Sequence, residues 1–211
     1  MSTDRSPFPE GFFVPEDGTA DESFYREPRL VTHIDEGAIA ACTELYRELI
    51  PPAGAVLDLM SSWRSHLPDN VPYERVVGLG MNADEMRQNP QLTASVVHNL
   101  NEKSELPFAD AEFDAAICTV SVQYMRRPVE TFGEVNRVVK TGGAFAVTFS
   151  NRCFPTKAIA AWRQLSDEEH MRLVALYFER SGGWRDLQAK VLREGRYGIS
   201  DPLYAVWARR A

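Results

Sequence analysis

Cysteine is scarce in this chain: three residues in 211, at Cys42, Cys118 and Cys153, with no paired spacing. That excludes a disulfide framework and the usual zinc spacings, and it suits a reducing compartment, so a cytoplasmic location is expected. No apolar run approaches the roughly 20 residues that span a bilayer, and MSTDRSPFPE has no apolar core behind its charges, so membrane insertion is not expected. Positive charge is also short, with 23 Lys and Arg against 30 Asp and Glu and a formal net charge of -7. A phosphate-tracking surface is disfavoured, which excludes nucleic acid and leaves a small molecule as the expected partner. Finally, no Gly-rich dinucleotide fingerprint follows any predicted strand, and this disfavours a nicotinamide dehydrogenase.

What is present is ordinary globular composition, 44% hydrophobic, 25% charged and 10% aromatic, at a length that suits one domain. Residues 1–23 combine Pro7, Pro9, Pro15, Gly11 and Gly18 with acids, which predicts an extended arm ahead of a single domain over 24–211. Phe8, Phe12 and Phe13 are costly to leave in water. Two readings stay open: an arm packed on the body, and a partly ordered tail.

From Asp35, apolar residues recur at helical steps (Ile39, Cys42, Leu45, Tyr46, Leu49) until Pro51 and Pro52. Strands are predicted at Ala55–Leu59, Arg75–Leu79, Ser95–Leu100, Phe113–Val122 and Ala144–Ser150, alternating with helices. Asn82 and Pro128 stand at helix starts, and Gly142 and Gly143 at a helix end. A helical region from Thr156 carries a capping box at Ser166 and Glu169 and closes at Ser181-Gly182-Gly183, before strands at Leu187–Leu192 and Leu203–Ala208. Five strand–helix units and a closing strand pair predict an α/β fold. The expectation is a doubly wound, mostly parallel seven-stranded sheet with an antiparallel edge strand.

The segments VLDL (56–59), VVGL (76–79), ELPFADAEFDAAIC (105–118) and FGEVNRVVKTGGAFAVTFS (132–150) together resemble the class I S-adenosylmethionine-dependent methyltransferases, in the small-molecule, type 11-like branch. The resemblance covers about residues 30–211 and implies S-adenosylmethionine as cofactor. It assigns cofactor binding to Asp58, Met60, Ser61 and Ser62 at the first strand's end, Gly80 and Met81 after the second, Asn101 and Glu102 after the third, and Thr119 on the fourth. Two family features are altered: Met60, Ser61 and Ser62 replace a glycine-rich turn, and Gly80 stands where a carboxylate grips the ribose. Asp84 or Glu85 is the nearby acid that compensates, unless its charge simply favours a helix start. Asn101 has two equal readings, an adenine contact or a turn asparagine.

His33, Tyr124 and Asn151 are the residues expected near the acceptor, although each also suits a purely structural role. Cys118 reads as a buried apolar residue, and Asn70-Val71-Pro72-Tyr73 as a turn. Either Trp63 and Arg64 replace the glycine contacts or Trp63 fills the cofactor site. The implied activity is methyl transfer to a small organic molecule; the alternative is a methyltransferase-like binding or regulatory module without transfer activity.

Overall fold

A computed structural model describes residues 8–211, so Pro7 lies outside the described residues. Among the described residues seven strands form one sheet: β1 (Ala55–Leu59), β2 (Arg75–Gly80), β3 (Ala94–Val97), β4 (Phe113–Thr119), β5 (Val139–Phe149), β6 (Trp184–Arg193) and β7 (Leu203–Arg210). The strand order is β3-β2-β1-β4-β5-β7-β6. The first five run parallel, and β7 is inserted antiparallel between β5 and β6, so the closing pair makes the antiparallel end of the sheet.

The central strands are apolar on both sides because both faces are covered. Leu57, Leu59, Leu79, Ala116, Cys118, Phe145 and Val147 face one core with the α4 (Pro128–Val138), α5 (Ala160–Gln164) and α6 (Asp167–Ser181) helices. Val56, Val76, Ala115, Ile117 and Ala146 face a second core with α2 (Glu36–Leu49). Asp35 caps α2 by accepting from the Ala38 N–H at 2.9 Å, and Asn82 caps α3 (Ala83–Arg87) by accepting from Asp84 and Glu85. Both halves of the Ser166–Glu169 capping box on α6 are formed.

The strand–helix alternation is incomplete. A parallel crossover needs length and usually uses a helix to cover the sheet. Here residues 60–74 between β1 and β2, and residues 98–112 between β3 and β4, cross without one. Pro68 and Pro72 in the first crossover deny the helix its backbone donors. The β4 strand stops at Thr119, and Val122–Tyr124 forms a 3₁₀ turn instead of continuing it.

Gly142 and Gly143 do not end α4. The helix gives way to β5 at buried Val139, and both glycines lie inside the strand. Gly142 has φ +82, and a Cβ at Gly143 would sit 2.5 Å from the Asp114 carbonyl oxygen, so the kink there admits only glycine.

The described part of the arm packs against the body. Phe8 and Phe13 meet Tyr177 at ring-centroid distances of 6.0 and 6.1 Å. The Val14 and Phe12 carbonyls accept from the Ala160 and Ala161 N–H groups, each at 3.0 Å. Asp21–Phe24 is one helical turn (α1) straddling the expected arm boundary.

Candidate functional site

At β1 the strand order reverses, with β2 on one side and β4 on the other, and the connections leaving the carboxyl ends of β1 and β4 border a crevice. The cavity there measures about 620 Å³, within the range that holds small ligands and cofactors. Its walls come from the β1 turn, the end of β2, the loop after β3, the 3₁₀ turn after β4 and the segment 21–35.

Both strand ends carry unusual backbone. Met60 has φ +57 and Val120 φ +51, the left-handed region that glycine occupies freely. A non-glycine residue held there costs on the order of 1–3 kcal/mol. The turn after β1 has therefore lost its glycines while keeping a backbone that suits glycine. Such strain persists only where the surroundings hold it, and here a polar network does.

Asp58, 2% exposed, accepts from Ser61 Oγ and Ser65 Oγ, both at 2.6 Å. Asn89 Nδ2 donates to the Ser65 hydroxyl and to the Ser62 carbonyl. Burial pushes the Asp58 carboxyl up to about 6, opposed by the two serine hydroxyls. Ser61 N–H donates to the Leu79 carbonyl, and Ser62 Oγ donates to Glu85 Oε2 at 2.6 Å.

The cavity gathers Met60, Ser61, Ser62, Gly80, Met81 and Asn101 from the expected cofactor set, with His33 and Tyr124 from the acceptor set. Asp58 and Thr119 line a smaller adjoining pocket instead, Thr119 with its hydroxyl 2.6 Å from Tyr46 Oη. Exposed Glu102 lies outside both linings and uses its backbone carbonyl to accept from Arg127. Asn151 is also exposed and outside them, accepting from Ser150 Oγ at 3.4 Å. Trp63 does not plug the large cavity. Its indole donates to the Val31 carbonyl, its ring lies under Arg64, and it lines the smaller pocket.

Asn101 spends its amide within the chain. Its Oδ1 accepts from the Arg126 N–H, and its Nδ2 donates to Asp21 Oδ2 and the Tyr124 carbonyl. Tyr124 stacks on Phe154 at 5.9 Å, accepts from the Phe154 N–H, and is raised by burial to about 12. A phenol so disposed is a poor base at neutral pH. His33 lies against the Phe154 ring, and desolvation lowers its pKa, which favours the neutral imidazole.

The residues hardest to foresee come from the segment ahead of α2. Asp21, 4% exposed, pairs with Arg126 at 2.5 Å and with buried Lys157 at 3.4 Å, while Lys157 also donates to the Thr19 carbonyl at 2.6 Å. Arg29 stacks over Phe24 and Phe154 at 4.5 and 5.4 Å. The cluster Phe24-Tyr25-Arg26 was the only local hint, aromatics beside a cation. Among the described residues, no group of three His, Cys, Asp or Glu side chains is arranged to hold a metal, and no helix is long and apolar enough to cross a membrane.

Residues 62–147 match the family model of a methyltransferase domain. Over 73 residues the chain is 32% identical to the biotin biosynthesis bifunctional protein BioHC of Teredinibacter turnerae, covering 35% of this chain and 13% of that protein. Over 78 residues it is 36% identical to the methyltransferase phqN of Penicillium fellutanum, covering 34% of this chain and 24% of that protein. The aligned stretches thus span at most about a quarter of these curated relatives. A solved SAM-dependent methyltransferase from Archaeoglobus fulgidus shares the fold at 12% identity with a TM-score of 0.61, covering 83% of this chain and 95% of that one.

Proposed function

With a methyltransferase domain matched over residues 62–147 on a class I methyltransferase fold, we propose that this chain binds S-adenosylmethionine and transfers its methyl group to a small organic molecule. The observation that carries the reading is the open cavity at the carboxyl ends of β1 and β4, floored by a turn that retains left-handed backbone at Met60. The domain match and the SAM-dependent structural neighbour support the cofactor.

The residues present fit the group in shape and partly in chemistry. The Met60–Ser62 turn, Gly80 and Met81 would hold it, with a carboxylate at hand in Glu85. When bound, S-adenosylmethionine supplies an electrophilic methyl on a sulfonium. The chain's own work is positioning: Met60, Leu79 and Val120 exclude water, and Tyr124 with Phe154 walls the acceptor side. Neutral His33 is the group available to take a proton from an acceptor that must lose one.

The test is isothermal titration of purified protein with S-adenosylhomocysteine. Binding in the micromolar range is the expected result. Absence of both heat and any rise in melting temperature at millimolar ligand would overturn the reading. A second reading, a binding or regulatory module without transfer, is favoured by the spent amide of Asn101 and by the missing carboxylate at position 80. Tight binding with no methyl transfer to any member of a broad acceptor panel would select it.

A further inference from the structure

Gly80 has no room for the side chain that its position calls for. In open α/β folds an acid about 20 residues beyond the first strand's turn grips the ribose hydroxyls of a bound nucleoside. A Cβ built at Gly80 would run into the Ser61 carbonyl oxygen and lie 3.2 Å from Met86 Sδ. The rebuilt β1 turn thus leans over the end of β2 and occupies that place, so no acid can be restored there while the turn keeps this path.

One residue before Met86, Glu85 is 9% exposed and lines the cavity beside Ser62 and Asn82. Its Oε1 accepts from the Arg29 N–H at 2.7 Å and its Oε2 from Ser62 Oγ at 2.6 Å. An ionised carboxylate offers about four lone-pair sites, so each oxygen retains capacity for a further donor. Asp84, the other acid on that turn, pairs with Arg87 and is absent from the cavity wall.

We propose that Glu85, reaching back from α3, replaces the strand-end acid and accepts the two ribose hydroxyls of the adenosyl group. This rests on the proposed cofactor binding and identifies which side chain makes the site selective for a ribonucleoside. The turn and the grip then form one unit, because the carboxylate that would hold the diol also holds Ser62 of the turn and the backbone of Arg29.

The experiment is calorimetry with S-adenosylhomocysteine and its 2′-deoxy and 3′-deoxy analogues, on wild type, Glu85→Gln and Glu85→Asp. Wild type is expected to prefer the ribonucleoside at least ten-fold over either deoxy analogue. Glu85→Gln should lose ten-fold or more on S-adenosylhomocysteine and clearly less on either analogue, which keeps only one of the two hydroxyls, so that the preference shrinks, and Glu85→Asp should retain part of it. Equal losses on all three ligands would mark Glu85 as a purely structural support and overturn the proposal. So would a wild type that does not discriminate, a result that needs no variant to fold. If wild type binds S-adenosylhomocysteine while the preference is missing, only the role of Glu85 falls; if wild type binds none of the ligands, the cofactor reading falls with it.

Discussion

The β4–α4–β5 unit and the β1–β2 unit lie side by side in one sheet and are held together by different forces. The first is secured by apolar packing: Phe132 meets Phe145, Tyr177 and Phe178 at 4.8–5.6 Å, and its crossover is the α4 helix. The second crosses over without a helix, and its turn is pinned by hydrogen bonds centred on Asp58 and Glu85. Packing is non-directional. A buried polar network is directional and fails as a set, which permits left-handed Met60 to persist beside the crevice. The packed half therefore carries the fold's apolar core, and the polar half sets the shape of the candidate site.

The largest expected effect breaks the packed side. Phe132→Ala removes a fully buried ring and should cost about 3–5 kcal/mol in denaturant unfolding. A loss below 1 kcal/mol would deny that this side dominates stability.

Next comes the polar side. Asp58 is raised by burial to about 6 when folded, against an ordinary value of 3.8. The folded state therefore binds the proton more tightly. Its contribution to stability is fully present below about pH 4 and is lost as pH rises through about 6, with a span of roughly 2–3 kcal/mol. In Asp58→Asn, which cannot titrate, unfolding measured from pH 4 to 7 should lack this component. Identical pH profiles for the two proteins would refute it.

A smaller effect distinguishes strain from packing at the crevice floor. Met60→Gly gives the φ +57 position a residue that adopts it freely, so stability in denaturant unfolding should rise by about 1 kcal/mol, while affinity for S-adenosylhomocysteine should fall because a side chain leaves the cavity wall. A loss of stability would show that the packing of the Met60 side chain outweighs the backbone strain.

Legibility in the sequence followed the same division. The Asp35 and Asn82 caps, the Ser166–Glu169 box and the apolar strands could be read because each depends on neighbours a few residues away. Gly142 and Gly143 misled: two glycines after a helical stripe usually end a helix, whereas here the chain enters β5 first and needs them for close approach to Asp114. Pro68 and Pro72 are the local signal for the helix-free crossover, a signal that the strand–helix pattern alone does not carry. The Asn101 amide could not be read at all. Its acidic partner, Asp21, lies 80 residues earlier, and nothing local in Asn99-Leu100-Asn101 encodes that pairing. Glu85 was legible as an acid near the right place; its burial and its two donors were not.

The docking of the arm on α5 has one more consequence. The opening amides of that helix are satisfied by the carbonyls of Phe12 and Val14, about seven-tenths of the chain away. Deuterium uptake at Ala160 and Ala161 consequently reports whether the amino-terminal segment is seated. Those two amides form a built-in gauge of attachment, readable without any label on the arm itself.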